Sequence, residues 1–327
     1  MSDDRHARIA KDAGLVLRFY PWSNSSRIIV WLCRENGRIA TLIKGSQRPK
    51  SLFLGQYDLF YTDETLFYRR DRQGLHILRE CSPLRRRDRL RSDWRACAAA
   101  SYLADLTARS IPMDSHLPGA FERLAVALDA LDAGGPREEA VFRYELALLD
   151  LLGLKPRLGA CASCRRPRTA HASVARFSVR RGGLVCGRCH GSESDEVVRL
   201  SPDTIARLAA WQDNDGAADG GQLRPAALRE AGHLLGRVLR YHLDLALPSR
   251  DTAFEWMSAG VAGDRPDCPT VWLSDRPDGP DCPDCPTVPT VRPSDGPTVR
   301  RSRLSRLSDR PDCPTVRPSD RLTVRPS

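Results

Sequence analysis

The 327-residue chain holds 51 Lys and Arg against 41 Asp and Glu, a formal net charge of +10. Its most apolar helical stretch, residues 146–154, is interrupted by Asp150 and falls far short of the about 20 residues a membrane span needs. The first residues lack a signal-peptide core, so membrane and export classes are set aside and a cytoplasmic, nucleoid-associated protein is expected.

The charge is unevenly placed. Residues 1–95 carry 20 Lys and Arg against 11 Asp and Glu, whereas residues 96–258 are balanced at 20 against 20. A localised cationic excess favours a polyanionic partner, and nucleic acid leads.

Short alternating runs fill the N-terminal segment at 14–20, 27–33, 38–43, 52–59, 65–70 and 75–80, separated by turn formers such as Pro21, Asn36-Gly37 and Pro49. Five or six short strands in so few residues predict a small closed barrel over residues 1–83, because open strand edges invite aggregation. The segment holds 10 of the chain's 21 aromatics, interleaved with Arg18, Arg27, Arg34, Arg38, Lys44, Arg48 and Lys50. Bases stack on rings while Lys and Arg follow phosphates, although most of these rings also suit a barrel core. The loop at 44–51 packs Lys44, Arg48 and Lys50 together with Gly45 and two serines, where backbone amides can approach phosphate as well.

A basic run, residues 85–91, marks the junction to a helical region at 84–258; it either extends a nucleic-acid path or is a solvated linker. Ser92 is the expected cap of a helix at 93–110, and Ser115 precedes another reaching about Asp132. A helix at 137–152, apolar on both faces, should lie at the centre of the helical domain and stop at Gly153. Ser201-Pro202 opens a further helix, and 224–247 reads as a final long one.

Between these helices stand Cys161 and Cys164, then Cys186 and Cys189. Two CxxC pairs separated by 21 residues suit four-thiolate zinc coordination, with a strand and turn between them bringing the pairs together as a zinc ribbon at about 158–192. Four thiolates leave no open position for water, so one structural ion is expected rather than a catalytic one. His190 is an alternative ligand, and a thioredoxin-like redox pair is a weaker alternative that lacks a βαβ context. From 259 to 327 the chain cycles through Pro-rich fragments with few bulky apolar residues, which reads as a low-complexity disordered tail. No Walker loop, nucleophile elbow or zincin motif occurs, so an enzyme is not expected.

These residues together resemble the RecO family of bacterial recombination mediators. The likeness runs through residues 14–28, 34–38, 44–51, 144–146, 151–156, the cysteine pairs, 182–186 and 241–245, in the family's order over about residues 12–257. The 54–58 segment departs from the family wording, and the tail has no counterpart there. The resemblance implies a multidomain α+β protein: an oligonucleotide-binding (OB-fold) β-barrel, then an α-helical domain with an inserted zinc module. It also implies single-stranded DNA, RecR, the acidic C-terminal tail of single-strand-binding protein and, indirectly, RecA as partners. Arg27, Arg38, Lys44, Arg48 and Lys50 would then form the DNA-binding face, with Arg123, Arg143 or Arg237 as candidates for the acidic tail. The competing class is a zinc-ribbon nucleic-acid-binding accessory protein without mediator activity.

Overall fold

A computed structural model of the protein describes residues 9–69, 75–168, 174–189, 196–213 and 224–258, all within one compact unit. Five strands, β1 (Ile9–Ser23), β2 (Ser26–Cys33), β3 (Gly37–Ile43), β4 (Thr62–Tyr68) and β5 (Leu75–Arg85), close a barrel in the order β1-β2-β3-β5-β4. The β3–β5 pair is parallel and the others antiparallel, with β4 returning to β1, which is the Greek-key arrangement of an OB-fold.

The period-2 alternation of the sequence explains the barrel's two faces. Val16, Ile29, Trp31, Ile39, Ile43, Phe67 and Leu78 fill its interior. Their neighbours Leu15, Leu17, Val30 and Leu32 point outward into a second core shared with the helices. Trp31 is fully buried and still satisfied, because its Nε1 donates to Thr41 Oγ1 at 2.8 Å. Gly14 permits this packing, since a Cβ there would stand 3.0 Å from the Trp31 ring.

The expected strand at 52–59 does not form. That stretch is a succession of turns between β3 and β4, with Gly55 at φ +71° and Leu52 92% exposed; Phe53, Tyr57 and Leu59 pack partly against the barrel core, but the segment enters no ladder.

The helices are α1 (Arg89–Ser92), α2 (Trp94–Ser110), α3 (Ala120–Gly134), α4 (Glu138–Leu151), α5 (Pro202–Asp213), α6 (Pro225–Leu243) and α7 (Pro248–Ser258). Asp93, not Ser92, caps α2, its carboxylate accepting from the Arg95 and Ala96 amides; Ser92 closes the short α1 instead. The expected helix from Ser115 begins at Ala120, after Gly119 at φ +82°. α4 is central, burying Val141, Phe142, Tyr144, Leu146, Leu148 and Leu149. The helix expected over 224–247 forms as α6 but stops at Leu243, and a separate helix follows it. Asp244 takes the left-handed conformation and ends α6, and Pro248 starts α7, which returns along α2.

Strands β6 (Ala175–Ser178), β7 (Gly183–Val185) and β8 (Val197–Leu200) form a small sheet in the order β7-β6-β8. Phe177, Leu184, Val198 and Leu200 join the helical core, and His242 Nε2 lies 2.8 Å from the Val179 carbonyl oxygen. The repetitive segment from 259 onward and His190 lie outside the described residues.

Candidate nucleic-acid interface and metal centre

At one end of the barrel the β1–β2 hairpin and the 44–51 loop are tied together. The Gln47 amide donates to the Ser25 carbonyl (3.1 Å) and the Gly45 amide to Ser26 Oγ (3.2 Å). Gly45 turns the chain at φ +70°, and the Arg48 amide donates back to its carbonyl. These bonds fix the backbone while leaving Lys44, Arg48 and Lys50 exposed at the surface. Arg27 adjoins them without being free. It is buried on β2, its guanidinium lies 5.0 Å from the centre of the Phe19 ring, and the Gln47 amide oxygen, turned toward it, accepts from Nε and Nη2. Arg27 therefore supports the loop from beneath.

Arg38 is not brought to this group. It sits on the outer face of β3 against the helical side, where its Nη1 donates to the Ile111 carbonyl (2.6 Å) and its backbone exchanges bonds with Ser115 and Asp114. Burial first, then repulsion from Arg18, lowers its pKa from the ordinary guanidinium value. Arg18 likewise turns to the helical side, pairing with the buried Asp105.

Of the ten aromatics of the barrel segment, two stand exposed on this hairpin, and the sequence had not singled out the exposed leucines of the loop. Tyr20 is 45% and Trp22 57% exposed beyond the bulge in β1, and Leu52 and Leu54 stand out from the connection that follows Lys50. The Tyr20 hydroxyl accepts from Arg18 Nη1 (3.5 Å) and so lies toward the helical side, whereas Trp22 stands on the hairpin to which the 44–51 loop is bonded. An exposed ring near cations that meet no carboxylate among the described residues can stack a base and neutralise phosphates at once. The only signal available was Pro21, which interrupts the alternation between the two rings.

The basic run at the junction divides. Arg87 is buried, giving hydrogen bonds to the Phe60 carbonyl (2.6 Å) and Thr62 Oγ1 (3.0 Å) and pairing with Asp129 (2.7 Å). Arg85 shares Asp129, and Arg91 donates to the Tyr61 hydroxyl (2.6 Å) and pairs with Asp58. Arg86 is exposed, 5.8 Å from the centre of the Tyr61 ring. Much of the run is thus a joint between barrel and helices.

In the sheet module, Cys161, Cys164, Cys186 and Cys189 place their four sulfurs within 4.8 Å of one another. Cys164 and Cys186 are 3.7 Å apart, close to the about 3.8 Å edge of a tetrahedron with metal–sulfur bonds of about 2.3 Å. Both pairs sit on tight turns, the Cys189 amide donating to the Cys186 carbonyl (3.0 Å) and the Arg165 amide to that of Cys161 (2.9 Å). Backbone amides also point at sulfur, as from Cys186 N to Cys161 Sγ (3.4 Å). Desolvation raises the Cys161 thiol, but amides of Cys164, Cys186 and Ser163 outweigh it and bring the pKa to about 6. The Cys189 amide lowers Cys186 in the same way. Cys189 is pushed up to about 12, chiefly by hydrogen bonds to Cys186 and Cys164. An amide-lined set of four sulfurs fits a tetrahedral metal ion, with no position left for a reacting water. Among the described residues neither pair stands at a helix N-terminus, the setting a redox dithiol uses to lower its pKa.

Comparison with known proteins agrees with this arrangement. Residues 8–87 match the family described as "Recombination protein O N terminal" and residues 91–251 the family described as "Recombination protein O C terminal". Over 244 residues the chain is 35% identical to the "DNA repair protein RecO" of Anaeromyxobacter dehalogenans (strain 2CP-1 / ATCC BAA-258), covering 74% of this chain and 94% of that protein. It is 31% identical to the protein of the same description from Roseiflexus sp. (strain RS-1) over 242 residues, 72% of this chain and 82% of that one. Among the described residues no helix is long and apolar enough to cross a membrane.

Proposed function

Because the chain belongs to the RecO family of DNA repair proteins, we propose that it is a non-enzymatic recombination mediator. In this reading it binds and anneals single-stranded DNA and, with RecR, helps RecA replace single-strand-binding protein. The observation that carries the reading is the exposure of Lys44, Arg48 and Lys50 on a loop hydrogen-bonded to the hairpin that displays the Trp22 ring, at one end of an OB-type barrel.

The mechanism uses binding energy, with no covalent step. Cations that take up phosphates release condensed counterions and reduce repulsion between strands, while rings hold the bases unpaired. Complementary strands can then meet without nucleotide hydrolysis. Zinc, held by Cys161, Cys164, Cys186 and Cys189, would act structurally by clamping the β6–β7 hairpin against the helices. The acidic tail of single-strand-binding protein would be met by cations of the helical region.

The test is fluorescence anisotropy on labelled oligonucleotides across a salt series, together with annealing of complementary strands coated with single-strand-binding protein. Neutralising about four to six phosphates gives a slope of about −3 to −4 in log affinity against log salt. Lys44→Glu with Arg48→Glu should weaken binding to all sequences alike and shallow that slope, because phosphate contacts position a strand without reading it. A folded double variant with unchanged affinity and slope would place the DNA elsewhere. Wild-type protein that binds strands but fails to anneal them when coated would reduce the reading to an accessory nucleic-acid binder.

A further inference from the structure

Between Gly153 and Cys189 the chain has nine Lys and Arg and no Asp or Glu, a concentration hidden by the charge balance of residues 96–258 as a whole. A divalent ion on four thiolates would return two negative units and still leave the module near +7. The cations are turned outward. Arg157, Arg165, Arg166, Arg176, Arg180 and Arg188 are all exposed, and among the described residues none of their side chains meets a carboxylate. Arg181 instead braces the module, its Nη1 donating to Ser163 Oγ and to the Cys189 carbonyl (3.3 Å).

We infer that this cysteine module is a second DNA site, holding the sugar–phosphate backbone of the second strand while the barrel loop holds the first. The inference rests on the nucleic-acid reading of the barrel and deepens it: annealing needs two strands held by one protein, and the chain carries two separate cationic fields.

Two features favour a nucleic-acid backbone over an acidic peptide. A cleft of about 830 Å³ does run between the module and the end of α4, lined by Lys155, Arg157, Arg165, Arg180 and Arg181, with Asp150 paired to Lys155. Yet Arg166, Arg168, Arg176 and Arg188 lie outside that cleft, so the field extends over the module in the way a polymeric anion requires. Phe177, the one Phe, Tyr or Trp between Gly153 and Cys189, is fully buried. Contacts here would be to phosphates without base stacking, which suits a strand whose bases must stay free to pair.

Rigidity supports the assignment. The module's backbone is fixed by the β6–β7 ladder, by paired amide bonds between Arg157 and the 182–184 turn, and by the Gln212 amide donating to the Pro156 carbonyl (2.9 Å). Exposed guanidiniums on a rigid frame lose less freedom on binding than those of a loose loop.

The test uses full-length, metal-loaded protein carrying Arg157→Gln, Arg176→Gln and Arg180→Gln, residues that are neither ligands nor adjacent to them. A single strand of about 8 nucleotides, short enough for the barrel alone, should bind within about twofold of wild type. Annealing of long complementary strands should slow by about tenfold or more, and binding to a duplex should lose about two units of salt slope. The matching Arg→Lys triple variant, which keeps the charge, should behave as wild type and separates charge from local structure. Metal content of one ion per chain and an unchanged circular dichroism spectrum are the folding controls. Unchanged annealing and duplex binding in the folded Gln variant overturn the inference while leaving the barrel reading standing. Lost affinity for an acidic, apolar-ended peptide with intact annealing overturns it in favour of a protein partner. Failure of wild-type protein to bind the short strand would remove the barrel reading, and the second site with it.

Discussion

Arg87 Nε lies 2.7 Å from Asp129 Oδ1, joining the end of the barrel to α3 through a guanidinium that is 1% exposed. Its Nη1 donates to both the Phe60 carbonyl and Thr62 Oγ1 on the barrel side. Desolvation lowers the Arg87 pKa and Asp129 opposes the shift, which is the balance of a buried charge held by its partners.

Arg87→Ala should accordingly cost about 1–3 kcal/mol, because the buried Phe60 carbonyl loses its donor while Asp129, 31% exposed, keeps Arg85. Arg85→Ala, which removes a mostly exposed guanidinium from the same carboxylate, should cost less than about 1 kcal/mol. Urea unfolding followed by circular dichroism measures both. Equal costs would show that Asp129, and not the buried guanidinium, governs the joint.

Arg87 and Arg38 also show where the sequence stops being informative. An arginine's type does not reveal whether it will meet phosphate or a carbonyl, and Arg38 and Arg87 find Ile111 and Asp129 at separations of 73 and 42 positions. The four cysteines were legible because the constraint is local, two short turns at fixed spacing. Barrel strands were legible for the same kind of reason: with one face inward, alternation must persist along each strand. Residues 52–59 imitated a strand because Leu52 and Leu54 are apolar, and composition cannot distinguish an apolar residue displayed on a loop from one buried in a sheet. The break at Asp244 carried only Pro248 as a warning, since Asp adopts the left-handed conformation less often than Gly. The arginine-rich module escaped notice because its charge was averaged over a long window.

Asp63 gives a prediction with a definite sign. Its carboxyl is fully buried on β4, both oxygens lack a hydrogen-bond partner, and burial, opposed by Arg86, raises its pKa to about 8. A folded-state pKa above the unfolded value means that the folded protein holds the proton more tightly. The associated stability is complete below about pH 4, declines by at most about 1.4 kcal/mol per unit as the unfolded carboxyl ionises, and is lost once pH passes about 8. Asp63→Asn, which cannot ionise, should therefore be more stable than wild type at pH 8, with the difference shrinking toward pH 4. Melting temperatures of the two proteins across this range provide the check; a constant difference would mean that Asp63 stays ionised throughout.

The metal centre predicts an ordering. Cys161 is buried and accepts several amides, whereas Cys164 is exposed. Metal binding is coupled to local folding, so a strong chelator should release one ion per chain and lower the melting temperature. Cys161→Ser should be more destabilising than Cys164→Ser, because it also removes the acceptor around which the amides of the first turn are arranged. Metal analysis of reduced protein together with thermal unfolding tests this, and stable, fully folded protein after complete metal removal would end the structural assignment.

The exposed rings can be separated from the cations beside them. If Trp22 stacks on a base, Trp22→Ala should cost about 1–3 kcal/mol of binding to a short single strand, a loss of roughly 5- to 150-fold. Tyr20→Ala, which loses a ring held by Arg18 toward the helical side, should cost less. Neither removes a charge, so the slope of log affinity against log salt should stay at the wild-type value, in contrast to Lys44→Glu and Arg48→Glu. Trp22→Phe, which keeps an aromatic face, should recover most of the loss. Folding should be preserved, since Trp22 is 57% exposed and lies beyond the hydrophobic interior of the barrel. An abasic strand of equal length is the decisive probe: it has phosphates but nothing to stack, and Trp22→Ala should bind it as wild type does. Equal losses on the normal and abasic strands would show that Trp22 shapes the hairpin instead of holding a base.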